Sequence, residues 1–367
     1  AGAAAAWEDA GGGGAPGRNY LTNPNMVHAQ RYIDLTGNKT VAVAAGANVY
    51  TLDRWKVVST STAAFSVSSD TSSLPAGVSH SMKVDITTAD SSIAAGEHYE
   101  IEQRIEGFHC GAFSLGLAGA TTVAISFWAR SLATGIHCVS LSNSASNRSY
   151  VFEYTIASAD TWEYFTQAVA LDTTGTWLLT NGTGLRVRWS MGTGSNFHGT
   201  KDSWEGANDF ASSSQVNAVA STGQFGLAAA KLEIGSSATA FRYSPAEAAA
   251  DWNQCLRSFE RFRATYSLNS YMVVGYGQST TLFKTYFHYH DKRVQPSMTT
   301  SADTDLLVTQ PSGSNAATGK VFTDTFVDRS RFDIADTGAG YTAGEPGLLY
   351  ISGGQNPDNF IDISAEI

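Results

Sequence analysis

Alternation of apolar and polar residues is the feature that most constrains the fold of this chain. Between residues 99 and 106, Tyr99, Ile101 and Ile105 fall on one face and the charged residues fall on the other. The same period of two recurs at residues 121–130, 150–156 and 185–189, and Gly, Asn and Ser turns separate these segments. Successive side chains of a β-strand point to opposite faces, so each segment is predicted to be a strand. The chain is therefore predicted to be all-β, with an antiparallel β-sandwich over residues 19–243.

Composition narrows the class of function. The chain has 367 residues, which favours two or three domains, and a net charge of −10. Binding of nucleic acid through phosphates needs a basic face, so no nucleic-acid partner is expected. No apolar run reaches the roughly 18 residues of a spanning helix, so no membrane insertion is expected. The three cysteines lack metal-ligand spacing and are predicted to be free core thiols of a protein that folds in a reducing cytosol.

A helix start interrupts the β pattern once. Ser244, Pro245 and Glu247 stand at the positions of an N-cap, a first helical residue and the third residue of a capping box. From Ala248 to Phe262 the apolar residues recur at helical spacing. The sequence therefore predicts a connecting amphipathic helix over residues 244–263, followed by a C-terminal antiparallel β domain over residues 264–367.

The strand predicted over residues 282–290 of that second β domain is unusually aromatic. Phe283, Phe287 and Tyr289 share one face, and Tyr286 lies on the opposite face. Because both faces are aromatic, we expect both to be covered, one of them by another subunit. The interpretation makes Phe283, Phe287 and Tyr289 an oligomer contact.

The first 18 residues form an Ala/Gly-rich arm that contains one aromatic residue, Trp7. Such a segment buries too little surface to order alone, so it is predicted to be flexible. It is either a linker or an anchoring peptide that orders on a partner, with Trp7 as the anchoring side chain.

The long polar connection at residues 192–214 is the predicted ligand-binding segment, since long loops at a sandwich rim often carry function. Sugar recognition typically combines an aromatic platform with nearby amides and carboxylates. Trp204 ranks first for the platform, with Asp202, Asn196 and Trp177 as further ligand-binding residues. The alternative is that these tryptophans plug the ends of the sandwich or lie at a subunit contact.

Two groups of carboxylates could support glycoside hydrolysis or calcium binding, and neither function is the preferred interpretation. Glu100 and Glu102 stand about 6.5–7 Å apart on one strand face, a separation that suits inverting glycoside hydrolysis. A solvated polar face is the preferred interpretation, so no catalytic residue is predicted. Asp202, Glu205 and Asp209 offer oxygen ligands for a structural calcium, although no calcium-loop motif is present. The prediction is no cofactor and no metal site, with structural calcium as the alternative.

Five phrases in fixed order resemble a group of bacteriophage tail fibre or receptor-binding virion proteins with a jelly-roll domain akin to carbohydrate-binding modules. The phrases are Asn19–Asn25, Tyr50–Trp55, Tyr99–Gly107, Ala124–Ser131 and Lys231–Tyr243. The resemblance extends over about residues 19–262, through the helix that carries Cys255 and Arg257. The chain departs from the group at Lys231, where members often have Gln, and after Cys255. The shared phrases are framework, so the group's glycan specificity does not carry over with them.

The resemblance implies a virion protein, assembled in the host cytoplasm, that attaches to host-surface polysaccharide without catalysis. It implies an N-terminal jelly roll, contacts to other virion proteins through the N-terminal arm, and a homotrimer. One alternative is a purely structural capsid-decorating or tail spike that binds no glycan. A polysaccharide depolymerase tailspike is a less favoured alternative, because the repeated short strands of a long β-helix are not visible in the sequence.

Overall fold

A computed structural model describes residues 17–32, 40–263, 270–302, 306–323, 326–335, 340–351 and 359–367. The chain divides into two compact units. The N-terminal unit contains the residues up to 29, residues 39–251 and residue 367, and the C-terminal unit contains residues 30–38 and 252–366. The predicted anchor Trp7 and most of its arm lie outside the described residues.

The N-terminal unit is built from two antiparallel sheets. Its strands are β1 (Thr40–Val43), β2 (Asn48–Tyr50), β3 (Trp55–Ser59), β4 (Ala64–Asp70), β5 (Ser81–Thr88), β6 (His98–Glu106), β7 (Thr122–Ser131), β8 (Gly135–Ser142), β9 (Ser149–Ile156), β10 (Glu163–Ala170), β11 (Thr183–Thr193), β12 (Trp204–Glu205) and β13 (Gly223–Ile234). Sheet A has the order β1-β4-β5-β13-β7-β10, and sheet B has the order β12-β9-β8-β11-β6-β3-β2. Short 3-10 turns lie at Gly107–His109, Gly111–Phe113 and Ser195–Phe197.

The predicted alternation places the core of this unit. Tyr99 and Ile101 of β6 are fully buried, as expected from their face of the strand. The Trp189 ring of β11 packs 5.6 Å from the ring of Trp55 on β3 and 5.6 Å from the ring of Phe127 on β7. Because β7 belongs to sheet A and β11 to sheet B, these rings join the two sheets. The prediction of an all-β fold with a sandwich is confirmed.

The helix α1 spans Pro245–Ser258. The backbone N–H of Ser244 donates to Glu247 Oε2 at 2.6 Å, and the N–H of Glu247 donates to Ser244 Oγ at 3.3 Å, which is the predicted capping box. The predicted helix to residue 263 is wrong for its last turn. Phe259–Arg263 forms strand β14, paired with Phe360–Ser364 about 100 residues later, because the hydrogen bonds of that pairing replace those of another helical turn.

The C-terminal unit is also built from antiparallel sheets. After β14 its strands are β15 (Ser270–Ser279), β16 (Leu282–His288), β17 (Ser297–Thr300), β18 (Leu306–Gln310), β19 (Gly313–Ala316), β20 (Gly319–Thr323), β21 (Arg329–Ala335), β22 (Pro346–Ile351) and β23 (Phe360–Ser364). One sheet has the order β14-β23-β17, and the other has the order β19-β18-β22-β15-β16-β21-β20. A short 3-10 turn at Gln30–Tyr32 belongs to the same unit.

The three aromatic residues predicted as an oligomer contact lie in the core of this unit. Phe283 is fully buried, and Phe287 and Tyr289 are at most 8% exposed. Gly275 and Gly347 make room for the Phe283 ring, because a Cβ at either position would stand less than 3 Å from it. The chain itself therefore covers the face that the sequence analysis assigned to another subunit. The opposite face of the same sheet exposes apolar side chains instead, among them Val274, Tyr276, Tyr286 and Leu348.

All three cysteines, Cys110, Cys138 and Cys255, are buried and form no disulfide with one another, which confirms the prediction of core thiols. Burial raises the pKa of Cys110 to about 12 and that of Cys138 to about 11. Within the described residues, no helix has both the length and the apolar character that a bilayer crossing requires.

Candidate functional site

The segment after β11 folds back onto sheet B. Lys201 forms a parallel bridge with Val151 of β9, and His198 bridges to Ala211 within the segment. The hydroxyl of Ser149 donates to the carbonyl of Ala207 at 2.8 Å. Residues 194–214, here called the covering segment, therefore pair with the edge strand β9 and also pack on sheet B, where Ala211 clusters with Cys138 and Val151.

Three aromatic rings meet where the covering segment adds β12 to the edge of sheet B. The ring of Trp204 lies 5.4 Å from the ring of Tyr150 and 5.6 Å from the ring of Trp177, the second pair being edge to face. Pairing of Trp204 with Tyr150 across β12 and β9 sets this arrangement. We call Tyr150, Trp177 and Trp204 the aromatic cluster; its two tryptophans were predicted from the sequence, and its tyrosine was not.

Hydrogen bonds hold both indoles of the aromatic cluster from within the chain. The indole N–H of Trp204 donates to the carbonyl of Ala170 at 2.8 Å, and that of Trp177 donates to the carbonyl of Thr174 at 3.0 Å. Trp177 is only 8% exposed, whereas Trp204 is half-buried. Trp204 therefore offers an exposed part of its ring, and Trp177 supports it from below.

Asp202 lies beside the aromatic cluster, and Asn196 does not. The hydroxyl of Tyr150 donates to Asp202 Oδ1 at 3.4 Å, and burial, with the Asp202 charge, raises the pKa of Tyr150 to about 12. The Asp202 side chain is exposed and can accept further hydrogen bonds. Asn196 is also exposed, but its backbone N–H donates to the carbonyl of Ala95 at 3.0 Å, before β6.

Two of the three acidic residues of the covering segment, Glu205 and Asp209, accept hydrogen bonds from donors of the chain. Glu205 Oε2 accepts the backbone N–H of Thr200 at 3.1 Å, and Asp209 Oδ2 accepts the hydroxyl of Ser149 at 3.0 Å. Burial raises the pKa of Asp209, and hydrogen bonding to Thr200 lowers that of Glu205. Across the described residues, no group of three or more His, Cys, Asp or Glu side chains could hold a metal ion. Asp202, Glu205 and Asp209, the residues of the structural-calcium alternative, therefore do not form such a group.

The carboxylates of β6 are buried, which corrects the expectation of a solvated polar face. Glu100 is 3% exposed and Glu102 is 2% exposed. The covering segment contributes to this burial, since the ring of Phe210 lies 4.4 Å from Arg188 Cζ and 4.5 Å from the ring of His98. Arg188 alternates with Val187 and Trp189 in the sequence, a pattern from which its place on the outer face of β11 could have been predicted.

Arginines neutralise the most buried of these carboxylates. Arg104 Nε donates to Glu102 Oε1 at 2.5 Å, and Arg188 Nε donates to Glu102 Oε2 at 3.0 Å. Burial alone would raise the pKa of Glu102, but Arg188 and Arg104 outweigh it and lower this pKa to about 2. A carboxylate with so low a pKa is ionised at neutral pH and cannot serve as a general acid.

Comparison with known proteins gives no family. No protein-family profile and no curated protein matches the chain. Solved structures with limited similarity include the enzymatically active domain of bacteriophage CBA120 tailspike protein 4, with a TM-score of 0.28 and 9% identity over 59% of this chain and 21% of that one. They also include a CBM4 structure, with a TM-score of 0.30 and 13% identity over 59% and 99% of the two chains. A third is TmCBM61 in complex with β-1,4-galactotriose, with a TM-score of 0.26 and 14% identity over 59% and 99%.

These TM-scores are too low to carry an argument about either fold or function. The present chain aligns with about a fifth of the tailspike domain.

Proposed function

We propose that this chain is a non-catalytic bacteriophage virion protein, a tail or capsid fibre or receptor-binding subunit, whose N-terminal sandwich attaches to host-surface glycan. The observation that carries the glycan-binding part is the pairing of a half-exposed indole, Trp204, with an exposed carboxylate, Asp202, on one supported surface. The virion part is supported by the ordered phrases between residues 19 and 262.

Binding would use the two features of that surface together. The exposed part of the Trp204 ring packs against the C–H groups of a pyranose, and Asp202 accepts hydrogen bonds from its hydroxyls. Trp177 and Tyr150 hold the indole in place, so little side-chain entropy is lost on binding. A single shallow contact of this kind is weak, and display of several copies on a particle raises the effective affinity.

Absence of catalysis is part of the proposal. The low pKa of Glu102 and its ion pairs with Arg104 and Arg188 support a structural role for that carboxylate. Glycoside hydrolysis needs one carboxyl group with a raised pKa and a second as base or nucleophile. Release of reducing ends from a bound polysaccharide would contradict this part and would favour the depolymerase alternative.

We further propose that the chain assembles as a homotrimer whose N-terminal arm, with Trp7, contacts other virion proteins. A candidate for the subunit contact is the exposed apolar face of the C-terminal unit that contains Val274, Tyr276, Tyr286 and Leu348. Exposed apolar patches of this kind often mark interaction sites. Sedimentation is expected to give about three times the chain mass of 38.9 kDa at micromolar concentration, and a monomer would contradict the trimer.

A glycan array with bacterial surface polysaccharides tests the function. The intact chain is expected to bind at least one polysaccharide, and an Asp202→Asn variant is expected to bind the same polysaccharide more weakly. Silence across the array would favour the structural spike, a role with which the internal hydrogen bonds of both indole N–H groups are also compatible.

A further inference from the structure

Two arginines face each other across the outer surface of sheet B. Arg104 on β6 and Arg186 on β11 are directly opposite in the strand register. Lys56 on β3 is opposite Glu102, two residues along β6 on the same face. Directly opposed residues of antiparallel strands have Cβ atoms about 4.5–5.5 Å apart, and like charges in that position destabilise the sheet. The pairing of Arg104 with Arg186 therefore needs a compensating interaction.

The neighbouring carboxylates supply only part of that compensation. Glu102 is shared between Arg104 and Arg188, and Glu100 lies 3.6 Å from Arg188 Nε. No ion pair that joins described residues includes Lys56 or Arg186. Four cationic groups, Lys56, Arg104, Arg186 and Arg188, thus face two carboxylates, Glu100 and Glu102. This local excess of positive charge stands out in a chain whose net charge is −10.

Arg186 is held by neutral acceptors only. Its Nη1 donates to Ser146 Oγ at 2.7 Å, and its Nη2 donates to the carbonyl of Ser144 at 3.0 Å, both in the turn between β8 and β9. Its Nε is buried without a hydrogen-bond partner. Burial, followed by the charge of Arg188, lowers the pKa of Arg186. The guanidinium is therefore positioned by the turn and makes no direct ion pair with a carboxylate of the described residues.

The surroundings of the three cations resemble those of a sugar site. Lys56 Nζ lies 5.6 Å from the ring centroid of Tyr50, whose hydroxyl donates to the carbonyl of Ile367. Arg104 is 22% exposed in its side chain, and Lys56, Arg186 and Tyr50 are half-buried, so the cations can be reached from solvent. Arg54 also lies here, and its Nη2 donates to the carbonyl of Arg104 at 2.7 Å. An aromatic ring beside several cations suits a sugar that carries a negative group.

We propose that Lys56, Arg104 and Arg186, here called the cation site, bind the carboxylate of an acidic sugar residue in a surface glycan. Guanidinium groups bind carboxylates with directional paired donors, Lys56 adds a point charge, and Tyr50 packs against the sugar ring. The proposal rests on the proposed function in so far as the ligand is a glycan, and it assigns that glycan to the acidic class. The bound carboxylate would relieve the repulsion between Arg104 and Arg186.

Titration calorimetry of the full chain tests the cation site. The probes are oligogalacturonate, a hyaluronan fragment and oligosialate, each with its carboxyl-reduced counterpart, and a dextran sulfate fragment. At least one acidic probe is expected to bind, its reduced counterpart about tenfold or more weakly, because a charge-assisted hydrogen bond is lost. Raised salt is expected to weaken binding of the acidic probe.

Three variants locate the binding. Arg186→Gln is expected to weaken binding of the acidic probe about tenfold or more, and Lys56→Gln about threefold to tenfold. Lys83→Gln is the matched control, because Lys83 is a sheet A lysine already paired with Asp85 at 3.0 Å; it is expected to change binding less than about twofold. Should Arg186→Gln fail to fold, Lys56→Gln carries the test alone, since Lys56 has no ion pair among the described residues to lose.

Several results would overturn the cation site. They are binding of no acidic probe, equal binding of a probe and its reduced counterpart, binding of dextran sulfate alone, and equal binding by the Gln variants and the intact chain. The Trp204→Ala variant separates this inference from the proposed function. A neutral glycan that binds through Trp204 while no acidic probe binds overturns the cation site alone, and silence toward every glycan overturns both.

Discussion

Strands β6 and β16 have similar alternating patterns, but the faces of the two strands are buried to different extents. In β6 both faces are largely buried, since Tyr99 and Ile101 enter the core while Glu100 and Glu102 are at most 3% exposed on the opposite face, where Arg104 is 22% exposed in its side chain. In β16 the Phe283 face is buried, and the opposite face leaves Tyr286 53% exposed. Alternation therefore indicates which residues share a face, and it does not indicate what covers each face.

The difference arises from distant parts of the chain. The charged face of β6 is covered by a segment about 100 residues later, whose Phe210 ring packs on Arg188 and His98. The outer face of β16 has no comparable cover among the described residues of the C-terminal unit. Coverage of this kind is a tertiary property, so an isolated strand pattern cannot supply it.

The largest expected effect is on the buried aromatic face of β16. Phe283→Ala removes a fully buried ring and is expected to cost about 3–5 kcal/mol of unfolding free energy in the C-terminal unit. Urea unfolding with a probe for that unit measures the cost. A loss below about 1 kcal/mol would contradict the burial of the Phe283 ring in the core of this unit.

A substitution on the buried charged face of β6 is expected to lower the free energy of unfolding by nearly as much. Glu102→Gln leaves Arg104 and Arg188 opposite a neutral amide and is expected to cost about 3 kcal/mol. Asp85→Asn is the control, because it removes a carboxylate from a partly exposed ion pair with Lys83 and should cost at most about 1 kcal/mol. Equal unfolding midpoints for the two variants would indicate that the charged face of β6 is solvated, as the sequence predicted.

The contribution of Glu102 to the free energy of unfolding is also expected to depend on pH. Folding lowers the pKa of Glu102 from its ordinary 4.5 to about 2, so the stabilisation is complete above the unfolded pKa and is lost as pH falls through the folded pKa. The difference in unfolding free energy between the intact chain and Glu102→Gln is therefore expected to shrink as pH falls from about 5 to about 2. A difference that stays constant over this range would show that Arg104 and Arg188 do not lower the pKa of Glu102 when the chain folds.

The smallest effect on stability is expected on the exposed face of β16. Tyr286→Ser should change the unfolding free energy of the single chain by no more than about 0.5 kcal/mol. If the proposed trimer uses this face, the same variant lowers the sedimenting mass from about three chains toward one chain of 38.9 kDa. Tyr164→Ser, at an exposed tyrosine of the N-terminal unit, is the control and should leave the mass unchanged.

Much of the fold could be predicted from local patterns. The core face of β6 follows from alternation, and the start of α1 follows from Ser244, Pro245 and Glu247, because these features depend on neighbouring residues. The end of α1 could not be predicted in this way. Phe259 and Phe262 suit a helix and a strand equally, and their pairing with residues near the C-terminus decides between them.

The residues of the candidate site could likewise be predicted only in part from local sequence. Trp204, Trp177 and Asp202 were found from residue type and loop composition, and the structure brings them together around Tyr150. Asn196 was placed with them only because it is near in sequence. The opposition of Arg104 and Arg186 could not be found locally, since it depends on the register between strands about 80 residues apart.

The most direct test of the central claim, that the sandwich binds glycan at Trp204, is the affinity of Trp204→Ala for a polysaccharide that the intact chain binds. Trp252→Ala, at a tryptophan of α1 that is 37% exposed, serves as the matched control. Loss of one stacked ring is expected to weaken binding about tenfold, a change of about 1.4 kcal/mol, with the control within about twofold of the intact chain. Equal affinity of the intact chain and both variants, with all three folded, would contradict the account.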